Sequence, residues 1–113
     1  MRVVQGVIEL PQWESAEPAT AFIRVEDVSQ ADGKARRLGQ AVVNVTTNDF
    51  ARGAVAFEVT VQEPKTGAKC GVRVHLDLDR DGVVSQGDYV SVEFIPVLTD
   101  HFSQRVRVRL VKV

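Results

Sequence analysis

The sequence predicts an all-β protein, an antiparallel two-sheet β-sandwich of the Ig-like or prealbumin-like kind with about seven strands. The first observation behind this prediction is the alternation of apolar and polar residues, which has the period of a strand and dominates the chain. The second is the recurrence of Gly, Pro, Asn and Asp turn signals about every ten residues. The third is the length of 113 residues, which suits one domain over residues 1–113 with a single core.

Composition and charge narrow the class of protein further. Hydrophobic residues make up 44% of the chain and charged residues 26%, as in an ordinary globular domain. No apolar run approaches the roughly 20 residues of a transmembrane helix. The single cysteine, Cys70, cannot form an internal disulfide. The net charge of −1 gives no argument for a nucleic-acid partner. The sequence also shows no stripe of aromatic residues on which bases could stack, so we do not expect nucleic-acid binding.

The first four predicted strands each place apolar residues on one face, and their ranges are 3–10, 19–28, about 38–47 and about 54–62. The residues expected to face inward are Val4, Gly6, Ile8 and Leu10, then Ala21, Ile23 and Val25, then Ala41, Val43 and Val45, and finally Val55, Phe57, Val59 and Val61. Pro11 ends the first strand, and Asn48, Asp49 and Gly53 mark a short connection before the fourth.

Three further strands are predicted at 70–78, about 89–98 and about 103–113. Their inward faces are expected to carry Cys70, Val72, Val74, Leu76 and Leu78, then Val90, Val92 and Phe94, and finally Val106, Val108 and Leu110. Pro96 cannot donate a ladder hydrogen bond, so it marks an edge or a bulge in the sixth strand. The residues expected at the centre of the core are Val74, Leu76, Val92, Val108 and Phe57.

The connection between the fifth and sixth strands has the ligand spacing of a twelve-residue calcium loop. Oxygen-bearing side chains fall at loop positions 1, 3, 5, 9 and 12, Gly82 falls at position 6, and position 7 needs only a backbone carbonyl. The predicted ligands are Asp77, Asp79, Asp81, Val83, Ser85 and Asp88. Position 12 holds Asp rather than Glu, and the flanks are strands rather than helices, so we expect a calcium site of low affinity.

The alternative for this loop is a metal-free acidic hairpin, in which Asp and Ser side chains bond their own backbone. A bare turn, however, does not need four carboxylates. Two like charges about 4 Å apart repel by about 4 kcal/mol at a near-surface effective dielectric constant of 20. A cation, the neighbouring Arg80 or His75, or solvation has to offset that repulsion.

No catalytic residues are predicted, and we expect the protein not to be an enzyme. The only histidines are His75 and His101. A His75–Asp77 pair on one strand face is compatible with the sequence, but no nucleophile lies beside it and no Gly-x-Ser-x-Gly elbow is present. Cys70, on the apolar face, is expected to be a small buried hydrophobic residue.

Three arginines, Arg105, Arg107 and Arg109, form a basic stripe on one face of the last predicted strand. One interpretation is a solvated face that pairs with acids such as Glu93 on a neighbouring strand. The other is a partner-binding surface that contacts anionic lipid or an acidic partner peptide.

Two blocks of the sequence resemble a known family. One block runs from Ala21 to Asp32, and the other runs from Val72 through the acidic loop to Thr99. Together they are similar to the YbaY-like lipoproteins of Gram-negative bacteria, which are grouped with the YscW-type pilotins of type III secretion. The resemblance covers roughly residues 19–99. It implies a small β-sandwich, a periplasmic location facing the outer membrane, and a binding or chaperone role without catalysis.

The expected function is therefore a non-catalytic binding or chaperone-like module of the bacterial envelope, with a calcium loop and a protein or peptide partner. The alternatives are a metal-free structural β-sandwich domain and an accessory domain of an envelope enzyme system. The expected location is the periplasm or the outer-membrane face, or the cytoplasm if Met1 is the true start. Membrane contact is expected only through a lipid anchor, which this sequence does not contain.

Overall fold

The computed structural model describes residues 2–11, 17–29, 33, 35–64, 67–78, 87–92, 95–98 and 105–113. Within these ranges nine strands form two sheets around one core, and one short helix connects two of the strands. This architecture confirms the predicted β-sandwich. The elements are β1 Arg2–Glu9, β2 Ala19–Asp27, β3 Arg36–Val45, α1 Thr47–Arg52, β4 Ala54–Val61, β5 Cys70–Asp77, β6 Tyr89–Val90, β7 Ile95–Val97, β8 Arg105–Val108 and β9 Val111–Lys112. No helix in the described ranges is both long enough and apolar enough to cross a membrane.

The sheets differ in size. The smaller sheet has the order β4-β1-β8, and the larger has the order β3-β2-β5-β6-β9, with β7 also paired to β5. All the pairs are antiparallel except β1 with β8, which is parallel. The last predicted strand is thus two strands, because β8 joins the smaller sheet and β9 joins the larger one. A strand that changes sheets is a known way of closing a corner of a sandwich.

The alternation of the long strands places their apolar faces in one shared core, as predicted. Val74, Leu76 and Val108 are fully buried, and Phe57 is nearly so. The residues expected inward on the first, second and fourth strands are also buried. On β3, which lies at an edge of the larger sheet, Ala41 and Val43 are only partly buried. Cys70 is buried as expected, and this burial raises the pKa of its thiol.

The predicted inward position of Val92 is wrong, because its side chain is 66% exposed. Val90 is also misplaced: it lies opposite His75 on the outer face, whereas Tyr89 lies opposite the buried Leu76. Phe94 lies outside the described residues.

A serine hydroxyl is the physical reason for the broken alternation. The backbone N–H of Val74 donates to Ser91 Oγ at 2.8 Å, in a place where a strand would offer a carbonyl. The Ser91 N–H donates to the Val74 carbonyl at 2.9 Å. β7 pairs regularly with β5, and there Pro96 stands opposite Gly71. Among the described strands β7 pairs with β5 alone, so Pro96 lies at an edge as predicted.

The connection between β3 and β4 contains the helix α1, which alternation alone does not reveal. Thr46 is its N-cap: Thr46 Oγ1 accepts from the Asp49 N–H, and Asp49 Oδ2 accepts from the Thr46 N–H. This reciprocal arrangement is a capping box, with Asp in place of the usual Glu or Gln. Gly53 ends the helix at φ 78°, a left-handed conformation that glycine adopts without strain. The helix has six residues, which is fewer than two turns.

Candidate functional site

The end of β5 and the start of β6 bring three potential ligands together. One donor atom each from His75, Asp77 and Asp88 lies within 4.8 Å of the other two. Asp77 and Asp88 are 1% and 0% exposed, and His75 is half-buried. The first and twelfth positions of the predicted calcium loop therefore meet inside the protein, as a cation site at this loop requires.

Hydrogen bonds to both of its carboxylate oxygens hold Asp88 in place. The Leu78 N–H donates to Oδ1 at 3.0 Å, and His75 Nε2 lies 2.9 Å from Oδ2. When Asp88 is ionised its carboxylate can only accept, so this contact then requires the hydrogen of the His75 ring on Nε2. The sequence suggested Asp77 as the partner of His75, but the hydrogen bond described for this ring is to Asp88. The Asp88 backbone is also held, since its carbonyl accepts from the Val113 N–H at 2.8 Å.

Only part of the predicted ligand set can be placed. Asp77 and Asp88 are adjacent, while Asp79, Asp81, Val83 and Ser85 lie outside the described residues. The sequence-based ligand set omits His75, although its position two residues before Asp77 on the same strand face was the available signal. Calcium prefers oxygen ligands, so the role that suits His75 is to orient the Asp88 carboxylate from outside the coordination sphere.

The basic stripe lies on the smaller sheet and just beyond it. Arg105, Arg107 and Arg109 are all exposed. Arg107 Nη1 lies 2.9 Å from Glu9 Oε1, and Arg109 Nε lies 3.5 Å from Glu9 Oε2. Glu93, the acid suggested by the sequence, lies outside the described residues. Exposed ion pairs of this kind contribute about 0–1 kcal/mol, so the Glu9 pairs leave the stripe available to a partner.

Sequence reasoning missed a cleft of about 670 Å³ on the outer face of the larger sheet. Its apolar part includes Phe22, Val28, Val90 and Val92. The Phe22 ring stacks on the His75 ring, with centroids 5.8 Å apart and planes at 24°. The available signal was an apolar residue on the polar face of each of two strands, Phe22 in β2 and Val42 beside it in β3.

The polar wall of this cleft is basic. Arg24 on β2 lies directly opposite Arg73 on β5, and Arg37 on β3 lies opposite Glu26. Arg73 Nε approaches Glu26 Oε1 at 3.3 Å. Among the described residues, no salt bridge involves Arg24 or Arg37. In the described part of this wall, one carboxylate thus faces three guanidinium groups.

Neither a scan of known protein families nor a search of curated proteins finds a match to this chain. Among solved structures, it is similar to an alternative pilotin from the type II secretion system of Vibrio cholerae. The two share 16% sequence identity at a TM-score of 0.72, over 99% of this chain and 98% of the pilotin. The chain therefore has the fold of that pilotin. The closer resemblance to YbaY-like lipoproteins stays a prediction, because no family matches.

Proposed function

We propose that this protein is a non-catalytic module of the bacterial envelope that binds another protein as an accessory factor of a secretion system. The observation that carries this proposal is the fold similarity to a pilotin along nearly the whole of both chains. The sequence resemblance to YbaY-like and YscW-type proteins, drawn from different evidence, supports the same place and role. The proposed location is the periplasm or the periplasmic face of the outer membrane.

The test is affinity purification of the tagged protein from crosslinked envelopes of the native bacterium, followed by mass spectrometry. We expect a component of a secretion system to be enriched over a control β-sandwich exported with the same tag. Enrichment of enzyme subunits instead would favour the alternative of an accessory domain in an envelope enzyme system. Absence of any secretion component from the captured proteins would refute the proposal.

The basic stripe is one proposed partner surface. Reversing Arg105, Arg107 and Arg109 to Glu changes the charge of exposed side chains, so the fold is expected to persist. If the stripe binds the partner, this variant captures less of it than the wild type does. An unchanged yield would identify the stripe as a solvated face whose described acidic partner is Glu9.

We also propose that the loop from Asp77 to Asp88 binds calcium. The specific observation that favours it is the adjacency of two buried carboxylates from positions 1 and 12. The shortened twelfth ligand and the strand flanks favour a dissociation constant of about 10⁻⁴–10⁻³ M, the range of extracellular calcium modules. A site of this affinity fills outside the cytoplasm and stays empty within it, in agreement with an envelope location.

Calcium binding predicts a higher melting temperature in millimolar calcium than in magnesium or chelator. A ligand that binds only the folded chain adds about 2.7 kcal/mol of stability at about 100 times its dissociation constant. Asp79→Asn should remove most of this gain and leave the apo protein at least as stable, because it also relieves repulsion among the carboxylates. Identical melting curves in all three conditions would instead assign the loop to a metal-free acidic hairpin.

A further inference from the structure

We propose that the cleft on the outer face of the larger sheet is the docking site for an amphipathic peptide segment of the partner, one that carries both apolar side chains and carboxylates. The inference rests on the proposed protein-binding function and adds the surface and the chemistry of the segment that it binds. Two features support the proposal: a row of mainly apolar side chains on the solvent face of the sheet, and the positive charge of the arginines beside it.

The apolar part of the surface extends across five strands. Successive cross-strand partners run from Val42 to Phe22, His75, Val90 and Val111. Neighbouring strands lie about 4.8 Å apart, so the row is roughly 19 Å long. The solvent face of an antiparallel sheet is normally polar. Val42 and Val111 are nevertheless 57% and 49% exposed, and Val92 beside the row is 66% exposed. Exposed valines grouped in this way around the partly exposed Phe22 and Val90 are a feature of interaction sites.

The positive charge beside this row favours a ligand that carries negative charge. Arg24 and Arg73 are direct cross-strand neighbours, an arrangement that like charges make unfavourable. Glu26 neutralises one guanidinium at most, so the residues of the wall that the structure describes carry an excess of two positive charges, on a chain whose net charge is −1. A bound carboxylate relieves this repulsion, and the arginine fork matches its two oxygens.

A peptide supplies both kinds of contact at the right spacing. In an amphipathic helix, apolar and acidic side chains lie on neighbouring lines, so one segment covers the apolar row and reaches the arginines. The cleft, with a volume of about 670 Å³, is open to solvent along one side, so a segment of another chain can lie in it. A free phosphate or a lipid headgroup would satisfy the arginines but leave the apolar row uncovered.

Three synthetic amphipathic peptides test the proposal by NMR titration of the full chain. The first has leucine and glutamate on separate lines, the second has lysine in place of glutamate, and the third scrambles the first. We expect the first to bind at least about tenfold more tightly than the other two. Its amide shift changes should centre on Phe22, Arg24 and Val90.

Charge-reversal variants identify the surface. Arg24→Glu with Arg37→Glu should weaken the acidic peptide by about tenfold or more and favour the lysine peptide, because both side chains are exposed and the fold does not depend on them. Lys112→Glu, an exposed basic residue of β9 that lies opposite Tyr89 and does not line the cleft, is the control and should leave binding of the acidic peptide unchanged. Val92→Ser should weaken the acidic peptide without altering the melting temperature.

Several outcomes would overturn the proposal. These are equal binding of the three peptides, shift changes centred on the basic stripe, indifference to the Arg24/Arg37 reversal, or preferential binding of anionic vesicles or of a second copy of the chain through the cleft.

Envelope capture with the same variants separates this proposal from the proposed function. If the wild type captures a secretion component and the Arg24/Arg37 variant captures it equally well, the docking site is wrong and the function stands. If the wild type captures none while the acidic peptide still binds in the cleft, the function fails and the peptide chemistry stands.

Discussion

At the residue scale, close backbone approach leaves no room for a side chain at some positions in the sheets. A Cβ at Gly6 would lie 2.5 Å from the Val106 carbonyl oxygen and 2.7 Å from the Phe57 ring. The parallel pairing of β1 with β8 depends on this approach, because Gly6 lies opposite Val106 in that ladder. The glycine is thus required by packing between elements that are distant in the sequence.

Gly6→Ala is therefore expected to destabilise the protein. An added methyl group that a backbone carbonyl and a buried ring cannot avoid costs about 1–3 kcal/mol. Urea denaturation measures the loss, and Gln5→Ala, whose side chain is part of an exposed hydrogen bond, serves as the control with an expected change within about 0.5 kcal/mol. Equal stability of Gly6→Ala and wild type would mean that β8 does not lie against β1.

The contribution of Asp49 to the stability of the fold depends on pH. Hydrogen bonds from the Thr46 backbone and the Arg52 side chain lower the pKa of its carboxyl, although burial opposes them. A carboxyl whose pKa is lower in the folded than in the unfolded chain stabilises the fold when ionised. This contribution is complete above the unfolded value of about 3.9 and is lost as the pH falls through the folded value.

Asp49→Asn should then lower the free energy of unfolding by about 0.5–2 kcal/mol at neutral pH, the usual range for helix N-terminal interactions. The difference from wild type should shrink as the pH falls below about 4. Denaturant titrations at a series of pH values measure it, with the exposed Glu58→Gln as a comparison that should follow the wild type. A difference that persists unchanged to about pH 2 would exclude the charge of Asp49 as its source.

At the element scale, β5 differs from β6 and β7, the strands that pair with it on one side, in how well it follows the predicted alternation. β5 follows the predicted alternation from Val72 to Leu76 and is paired on both sides over most of its length. Asp77, at its end, is buried although the pattern placed it on the outer face. The predicted sixth strand departs from the alternation at Val90 and Val92, since the Ser91 hydroxyl takes the place of a backbone acceptor for Val74.

Alanine substitutions measure this difference. Leu76→Ala removes a fully buried side chain and should cost about 2–5 kcal/mol. Val92→Ala removes a side chain that is two-thirds exposed and should cost less than about 0.5 kcal/mol. Chemical denaturation of both variants provides the comparison, and a large loss for Val92→Ala would place that residue back in the core.

At the scale of the whole molecule, the C-terminal segment joins the two sheets. β8 pairs with β1 in the smaller sheet, and β9 then pairs with β6 in the larger one. The backbone of Val113 continues this link, since it donates to the Asp88 carbonyl and accepts from the Gly87 N–H. The chain end thus supports the strand that begins immediately after the acidic loop.

Removal of residues 111–113 should destabilise the protein by about 1–3 kcal/mol, because several backbone hydrogen bonds are lost together. It should also reduce any stabilisation by calcium, since Asp88 loses backbone support. Thermal melts with and without calcium measure both effects. Lys112→Ala with Val113→Ala retains the backbone and replaces exposed side chains, so this control should behave like the wild type.

Alternation in the sequence was sufficient to predict the sandwich and the inward faces of β1, β2, β4 and β5, because both depend on the local period of side chains about a strand. The edge position of Pro96 followed from the missing N–H of proline. Loop spacing predicted two carboxylates, Asp77 and Asp88, that do come together.

Pairing between strands decided the features that the sequence did not predict. The ladder placed Val90 opposite His75 and so on the outer face, and it divided the last strand between two sheets. It also gathered Phe22, Arg24, Arg37 and Arg73 from three strands into one cleft. These outcomes depend on register between segments far apart in the chain, which a local pattern does not encode.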